Sequence, residues 1–187
     1  MTSCANALKQ WEEKNGSTAA EASTIRLYCQ MPPISKLDNS LNNLSRCEHL
    51  AVSTNAIDRL IPLGGMQNLR ILSIGRNNLK RFEKLDENAS TLREIWASYN
   101  QISSLDGLAC LSNLEVLYLS NNNISRWDEL DKLAPCTKLK DILLIGNPIY
   151  DDISTEDARI KVLKHMSANT NLVKIDNILR DELDKLA

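Results

Sequence analysis

The sequence predicts an α/β repeat solenoid: a parallel sheet on the concave face, short helices or 3₁₀ turns on the convex face, and a helical cap at each end. Three observations carry this. Leu supplies 29 and Asn 19 of the 187 residues, whereas Phe supplies one and Val four, a bias that fits a short motif used many times better than an ordinary mixed core. Aligned on its asparagines, the chain gives one template, L-x-x-L-x-L-x-x-N-x-L-x-x-L, five times. Outside those copies the template fades into helical periodicity, as the ends of a stack require.

Residues 1–46 read as an N-terminal cap and an eroded repeat. Residues 3 to 14 put Cys4, Ala7, Leu8 and Trp11 on one helical face, with Ser3 placed to cap the helix. Ile25-Arg26-Leu27-Tyr28, then Pro32-Pro33-Ile34 and Leu37, Leu41 and Leu44, resemble a repeat in which prolines turn the chain.

Five repeats fill residues 47–149. They run from Cys47, Leu50, Val52, Asn55, Ile57 and Leu60 to Leu139, Ile142, Leu144, Asn147 and Ile149. Asn55, Asn77, Asn100, Asn122 and Asn147 follow one another at intervals of 22, 23, 22 and 25 residues, the spacing of leucine-rich repeats. L-x-L supplies a short strand whose outer pair points into the core, and strands of successive repeats pair in parallel. The Asn follows where the chain turns inward, and its amide can satisfy backbone groups that the turn leaves unpaired. These five form a structural ladder.

Residues 150–187 read as a C-terminal helical cap, making the whole a single domain. Asp151-Asp152 read as helix-start acids; Ser154 and Asp157 open a helix bearing Ile160, Leu163 and Met166. Leu172 to Asp176 form a half-strand. Residues 177–187, with Leu179, Leu183 and Leu186 at i, i+4 and i+7, read as one more helix.

Several function classes drop out. Lys plus Arg number 22 against 24 Asp plus Glu, for a net charge of -2, so there is no global basic field for nucleic acid or an anionic membrane. No apolar run nears the roughly 18 residues of a membrane span and no leader pattern opens the chain, which makes an intracellular location the expectation. Cys4, Cys29, Cys47, Cys110 and Cys136 contain no C-x-x-C pair and read as reduced, mostly buried thiols, with Cys47, Cys110 and Cys136 as core filler. No nucleotide-binding, metalloprotease or nucleophile-elbow motif occurs, and the two histidines, His49 and His165, fall on separate elements. The expectation is a non-enzyme with no cofactor, metal or small-molecule substrate.

Function then belongs to a surface. The central outward column of the strands reads Ala51, Ser73, Trp96, Tyr118, Leu143. Its neighbours read His49, Ile71, Glu94, Val116, Asp141 and Ser53, Gly75, Ser98, Ser120, Ile145. Trp96, Tyr118, Ile71, Val116, Leu143 and Ile145 are therefore expected to make an apolar patch free of core duty, with aromatic anchors of the kind that dominate protein interfaces. Four residues after the first four ladder asparagines stand Arg59, Arg81, Ser104 and Arg126; with Arg76 and Lys80 nearby, they predict a local basic edge.

Lys9-Gln10-Trp11-Glu12-Glu13-Lys14-Asn15-Gly16, followed by Ile25-Arg26-Leu27-Tyr28-Cys29-Gln30-Met31-Pro32-Pro33-Ile34, resembles the leucine-rich-repeat light chains of axonemal outer-arm dynein. Cys47 through Asn55, Gly75 through Lys80, Ile95 through Asn100, Ser120 through Trp127 and Gly146-Asn147-Pro148 continue the resemblance, which weakens after about residue 149. It implies a non-catalytic subunit in the cytoplasm and the axoneme of cilia or flagella. Such a subunit binds a dynein heavy chain near its microtubule-binding stalk head and tunes beating, with tubulin close by. It assigns heavy-chain contact to Trp96 and Tyr118, and to Ile71, Val116, Leu143 and Ile145, and makes acidic tubulin a counterpart for Arg76, Lys80, Arg81, Arg126 and Arg59. A phosphatase regulatory subunit and a ribonucleoprotein scaffold are the alternatives that use the same concave face.

Overall fold

A computed structural model describes residues 1–185. Its eight-stranded sheet follows chain order: β1 (Thr24–Arg26), β2 (His49–Ala51), β3 (Ile71–Ser73), β4 (Glu94–Trp96), β5 (Val116–Tyr118), β6 (Asp141–Leu143), β7 (Lys174–Ile175) and β8 (Ile178–Leu179). Successive strands are parallel through β7, and β8 returns antiparallel. The middle residues of the first six strands, Ile25, Leu50, Leu72, Ile95, Leu117 and Ile142, share one register. All six are fully buried. This spine belongs to a hydrophobic cluster that extends from Cys4 to Leu183.

The return on the convex side is too short for α-helices, so 3₁₀ turns form at Asp86–Asn88, Asp106–Leu108 and Trp127–Leu133. Neighbouring turns pack backbone against backbone at Gly107, where an added Cβ would stand 2.1 Å from the Phe82 carbonyl oxygen.

The Asn ladder is complete. Oδ1 of Asn55, Asn77, Asn100, Asn122 and Asn147 accepts from the N–H of Ile34, Ile57, Leu79, Ile102 and Ile124 at 2.9 to 3.0 Å. Each Nδ2 donates to carbonyls of its own and the preceding strand; for Asn100 these are Ala97 and Ile74, both at 3.0 Å. The residue before each Asn (Thr54, Arg76, Tyr99, Asn121, Gly146) is left-handed, with φ between 54° and 81°. That geometry turns the chain out of the strand and swings the Asn beneath it. Asp176 ends the row, its Oδ1 accepting from Leu144 and Ile145 N–H at 2.6 and 3.0 Å. A second row lies three residues before the strands: Asn68, Asn113 and Asn171 donate to the Ser45, Ser90 and Thr137 carbonyls at 2.8, 3.1 and 2.8 Å.

At the start of the stack, α1 (Cys4–Asn15) begins on Ser3, whose Oγ accepts from the Asn6 N–H at 3.1 Å, and ends at left-handed Gly16. At the other end, α2 (Thr155–His165) begins on Ser154, whose Oγ accepts from the Asp157 N–H at 3.0 Å. Asp151 and Asp152 lie before that cap, and the first-turn acids are Glu156 and Asp157.

The predicted helix over 177–187 is corrected. Asp176 and Asn177, both at positive φ (48° and 66°), form a two-residue turn between β7 and β8. Two left-handed residues in succession are what a tight hairpin needs, and Asp and Asn tolerate the conformation better than most residues. The helix α3 is left with Arg180–Leu183; Leu183 is buried, Leu179 is exposed and Leu186 lies outside the described residues. Cys110 is also corrected. It is exposed, as is Cys29, whereas Cys4, Cys47 and Cys136 are buried and burial pushes those three thiols up to about 11.

Candidate functional site

Strand pairing aligns Arg26, Ala51, Ser73, Trp96, Tyr118 and Leu143 in one column, and Thr24, His49, Ile71, Glu94, Val116 and Asp141 in the next. Because the middle residues of the first six strands turn inward, both columns face the concave side, where Ala51 and Ser73 are covered and the others are half-buried or exposed. At the centre, the Trp96 and Tyr118 rings are stacked with centroids 6.5 Å apart and planes at 22°. Leu143 follows Tyr118 in the column, and Ile145, 40% exposed, extends the apolar surface toward the rim.

Ile71 and Val116 stand in the neighbouring column on either side of Glu94, so the patch is an aromatic row bordered by carboxylates rather than continuous grease. Those carboxylates fix the rings. The Trp96 indole N–H donates to Glu94 Oε2 at 3.0 Å, and the Tyr118 hydroxyl donates to Asp141 Oδ2 at 3.0 Å. Asp141 Oδ2 also receives Lys174 Nζ at 2.6 Å. Burial and the Asp141 carboxylate both raise the Tyr118 hydroxyl above its ordinary value, keeping it a donor. Rings held in this way have less side-chain freedom to lose when a partner binds.

His49, Glu94, Asp141 and Tyr99 belong to this site although sequence reasoning left them out of the expected contact set. His49 meets Trp96 edge-on at 5.4 Å, with Nε2 2.8 Å from Ser73 Oγ. Tyr99, at the left-handed position before Asn100, is thrown to the rim with the Arg76 guanidinium 4.2 Å from its ring centroid. Arg76, Trp96, Tyr99 and Tyr118 line an open hollow of about 400 Å³. The signal for Tyr99 was its place before a ladder Asn, where no L-x-L alternation predicts direction. His165 lies elsewhere, stacked on Trp127 at 5.8 Å and 2.8 Å from Asp131 Oδ1.

The basic edge divides. Arg76 joins the concave hollow, while Arg59, Lys80 and Arg81 flank a separate groove with Asp58 and Glu83. Arg59 pairs with Asp58 at 3.4 Å, Arg81 with Glu83 at 3.3 Å and Arg126 with Asp128. Each of these three guanidiniums thus has a carboxylate in its own repeat, so the edge carries a weaker field than its arginines alone would give. Among the described residues no cluster of His, Cys, Asp and Glu could hold a metal ion, and no helix is long and apolar enough to cross a membrane.

Known proteins supply the context for this surface. A model of leucine-rich repeats, two copies, matches residues 90–135. The chain is 50% identical over 181 residues to the dynein axonemal light chain 1 of Chlamydomonas reinhardtii, covering 95% of this chain and 90% of that protein. The chain belongs to the axonemal dynein light chain 1 family. The Ciona intestinalis light chain 1 is 50% identical, covering 97% of this chain and 96% of its own length, and the human light chain 1 is 53% identical, covering 83% and 82%. Similarity to the light chain 1 family therefore continues past residue 149 in the first two. A solved chain of the Drosophila melanogaster SNF/U2A′ complex shares the fold, with a TM-score of 0.64 at 20% identity, covering 81% of this chain and 90% of that one. A Listeria monocytogenes internalin does so at 0.58 and 22%, covering 76% and 41%.

Proposed function

We propose that this member of the light chain 1 family serves as a non-catalytic light chain of outer-arm dynein in the axoneme of cilia or flagella. The chain works as one leucine-rich-repeat unit, with residues 1–46 and 150–187 capping repeats 47–149. Its concave face binds the motor heavy chain near the microtubule-binding stalk head, and the bound light chain tunes beating. The observation that carries this is the Trp96–Tyr118 row: two large aromatic side chains, stacked at 6.5 Å and each tethered by a carboxylate, face outward where the stack does not need them. Pre-set aromatics with a polar border are the usual anchors of a protein interface. Leu143, Ile145, Ile71 and Val116 supply the surrounding apolar contact.

The test is co-purification with tagged wild-type and Trp96→Ala/Tyr118→Ala chains from isolated cilia. Wild type retains a dynein heavy chain and the variant loses affinity by roughly 1000-fold, the sum of two anchors of about 2 kcal/mol each. Recovery of a phosphatase catalytic subunit or a spliceosomal protein instead of dynein overturns the assignment.

The edge formed by Arg59, Lys80, Arg81 and Arg126, with Arg76 nearer the hollow, then faces acidic tubulin. Reversing Arg81 and Arg126 to Glu is expected to weaken microtubule association of the complex most at low salt. Binding that is unchanged across salt leaves the edge a solvated surface.

A further inference from the structure

The two ends of the sheet are finished differently. At the C-terminal end β8 pairs antiparallel with β7 and the chain continues into α3. At the N-terminal end β1 uses one side of its main chain only. The Ser23 carbonyl accepts from Glu48 and His49 N–H at 2.8 and 3.0 Å, and the Leu27 and Cys29 N–H groups donate to the Ala51 and Ser53 carbonyls at 2.7 and 3.2 Å. Strand alternation therefore turns the N–H and C=O groups of Thr24, Arg26 and Tyr28 away from β2. Among the described residues, no backbone hydrogen bond outside the β1–β2 ladder involves these three, and the Tyr28 carbonyl accepts from the Gln30 side-chain amide at 3.2 Å.

Beside this edge runs a groove of about 400 Å³ whose opposite wall is α1. Its aromatic surface comes from half-buried Trp11 and from Tyr28, 51% exposed. Its charges are Lys14 and Arg26, and no acidic side chain lines it. Neither cation has an ion-pair partner among the described residues. An open strand edge is normally blunted or covered because it templates pairing with another chain. Here the edge borders a groove with two cations and two aromatics around it.

We propose that this groove is a strand-addition site for an extended acidic segment of a partner protein. The segment pairs with Thr24, Arg26 and Tyr28 as a further strand, its carboxylates meet Lys14 and Arg26, and an apolar side chain rests on Trp11 and Tyr28. Main-chain donors and acceptors alternating at strand spacing select a peptide, and the unopposed positive charge selects an acidic one. The groove meets the concave face at Arg26, the first residue of the Trp96–Tyr118 column, but neither Trp96 nor Tyr118 lines it, so it does not depend on what those rings bind.

The experiment uses the full chain and a fluorescein-labelled heptapeptide, Glu-Val-Glu-Ile-Glu-Val-Glu, followed by anisotropy. Its controls are the same peptide with Lys in place of Glu and a copy N-methylated at alternate amides. The acidic peptide is expected to bind, and Lys14→Gln with Arg26→Gln, both exposed positions, to weaken it by about tenfold. N-methylation removes the strand hydrogen bonds and with them the binding. Amide spectra should show Arg26 and Tyr28 shifted and exchanging more slowly, and Trp96→Ala/Tyr118→Ala should leave affinity unchanged. Equal binding of the Lys peptide or the N-methylated copy overturns the proposal, as do shifts centred on Arg76 or Arg81.

Discussion

Two positions of the repeat, four residues apart, are treated in opposite ways. One holds Asn55, Asn77, Asn100, Asn122 and Asn147, the same residue in every copy; the other holds Ala51, Ser73, Trp96, Tyr118 and Leu143, a different residue each time. Both recur in the same backbone setting, on strands that pair in one register. The stack imposes the same demand on each copy, so a side chain that the stack needs is the same in each. Without the Asn a buried N–H would have no acceptor and two buried carbonyls would each lose one of their two ladder donors. At the outward position the side chain points away from the core; Ala51 and Ser73 are small and covered, whereas the large aromatics Trp96 and Tyr118 stay half-exposed and free to serve a partner.

The largest break of this comparison is Asn100→Ala. It strands the Leu79 N–H in the interior and takes one of two donors from the Ile74 and Ala97 carbonyls, which keep the Asn77 and Asn122 amides, and is expected to lower unfolding stability by roughly 2–4 kcal/mol. Trp96→Ala, four residues earlier, is expected to cost no more than about 1.5 kcal/mol, since the ring is only half-buried and loses one hydrogen bond. Urea unfolding compares the two, and equal losses would remove the distinction.

A smaller test sets two glycines against each other. Gly107→Ala forces a Cβ to 2.1 Å from the Phe82 carbonyl oxygen inside the stack and is expected to cost roughly 1–3 kcal/mol. For Gly75→Ala in the outward set, the nearest approach is 3.1 Å to the Ser98 carbonyl oxygen, and a change within about 1 kcal/mol is expected. Thermal unfolding of both variants decides whether tolerance follows the face.

The smallest effect is one of pH. Burial, with the nearby Arg26 charge, holds the His49 imidazole below its ordinary 6.5 despite the opposing pull of Glu94. The unfolded chain therefore takes up this proton at a higher pH than the folded one. The stability contribution is fully present above about 6.5 and declines as pH falls through that value toward the folded pKa. Urea midpoints at pH about 7.5 and about 5.5 should differ less in His49→Gln than in wild type; an equal difference would detach His49 from the aromatic row's environment.

The stack was legible because one pattern, repeated, names its own core. The register that puts Trp96 beside Tyr118 follows directly from the 22-residue step between Asn100 and Asn122. Features that occur once were harder. Asp176-Asn177 is a hairpin turn, but Leu179, Leu183 and Leu186 at helical spacing masked it, and local turn chemistry outweighed that periodicity. The carboxylate tethers needed the register between columns as well as the columns themselves: Asp141 reaches Tyr118 from the adjacent strand. Arg59, Arg81 and Arg126 stand at equivalent places in their repeats, but the neighbouring Asp58, Glu83 and Asp128 decide their field.

The outward row is tested most directly by hydroxyl-radical footprinting of the chain alone and in its dynein complex. Trp96 and Tyr118 lie on the concave face, whereas Trp127, half-buried against His165 near α2, serves as an internal reference. Binding through the concave face predicts that oxidation of Trp96 and Tyr118 falls several-fold in the complex while Trp127 is unchanged. Trp96 and Tyr118 oxidised as readily in the complex as in the free chain would contradict it.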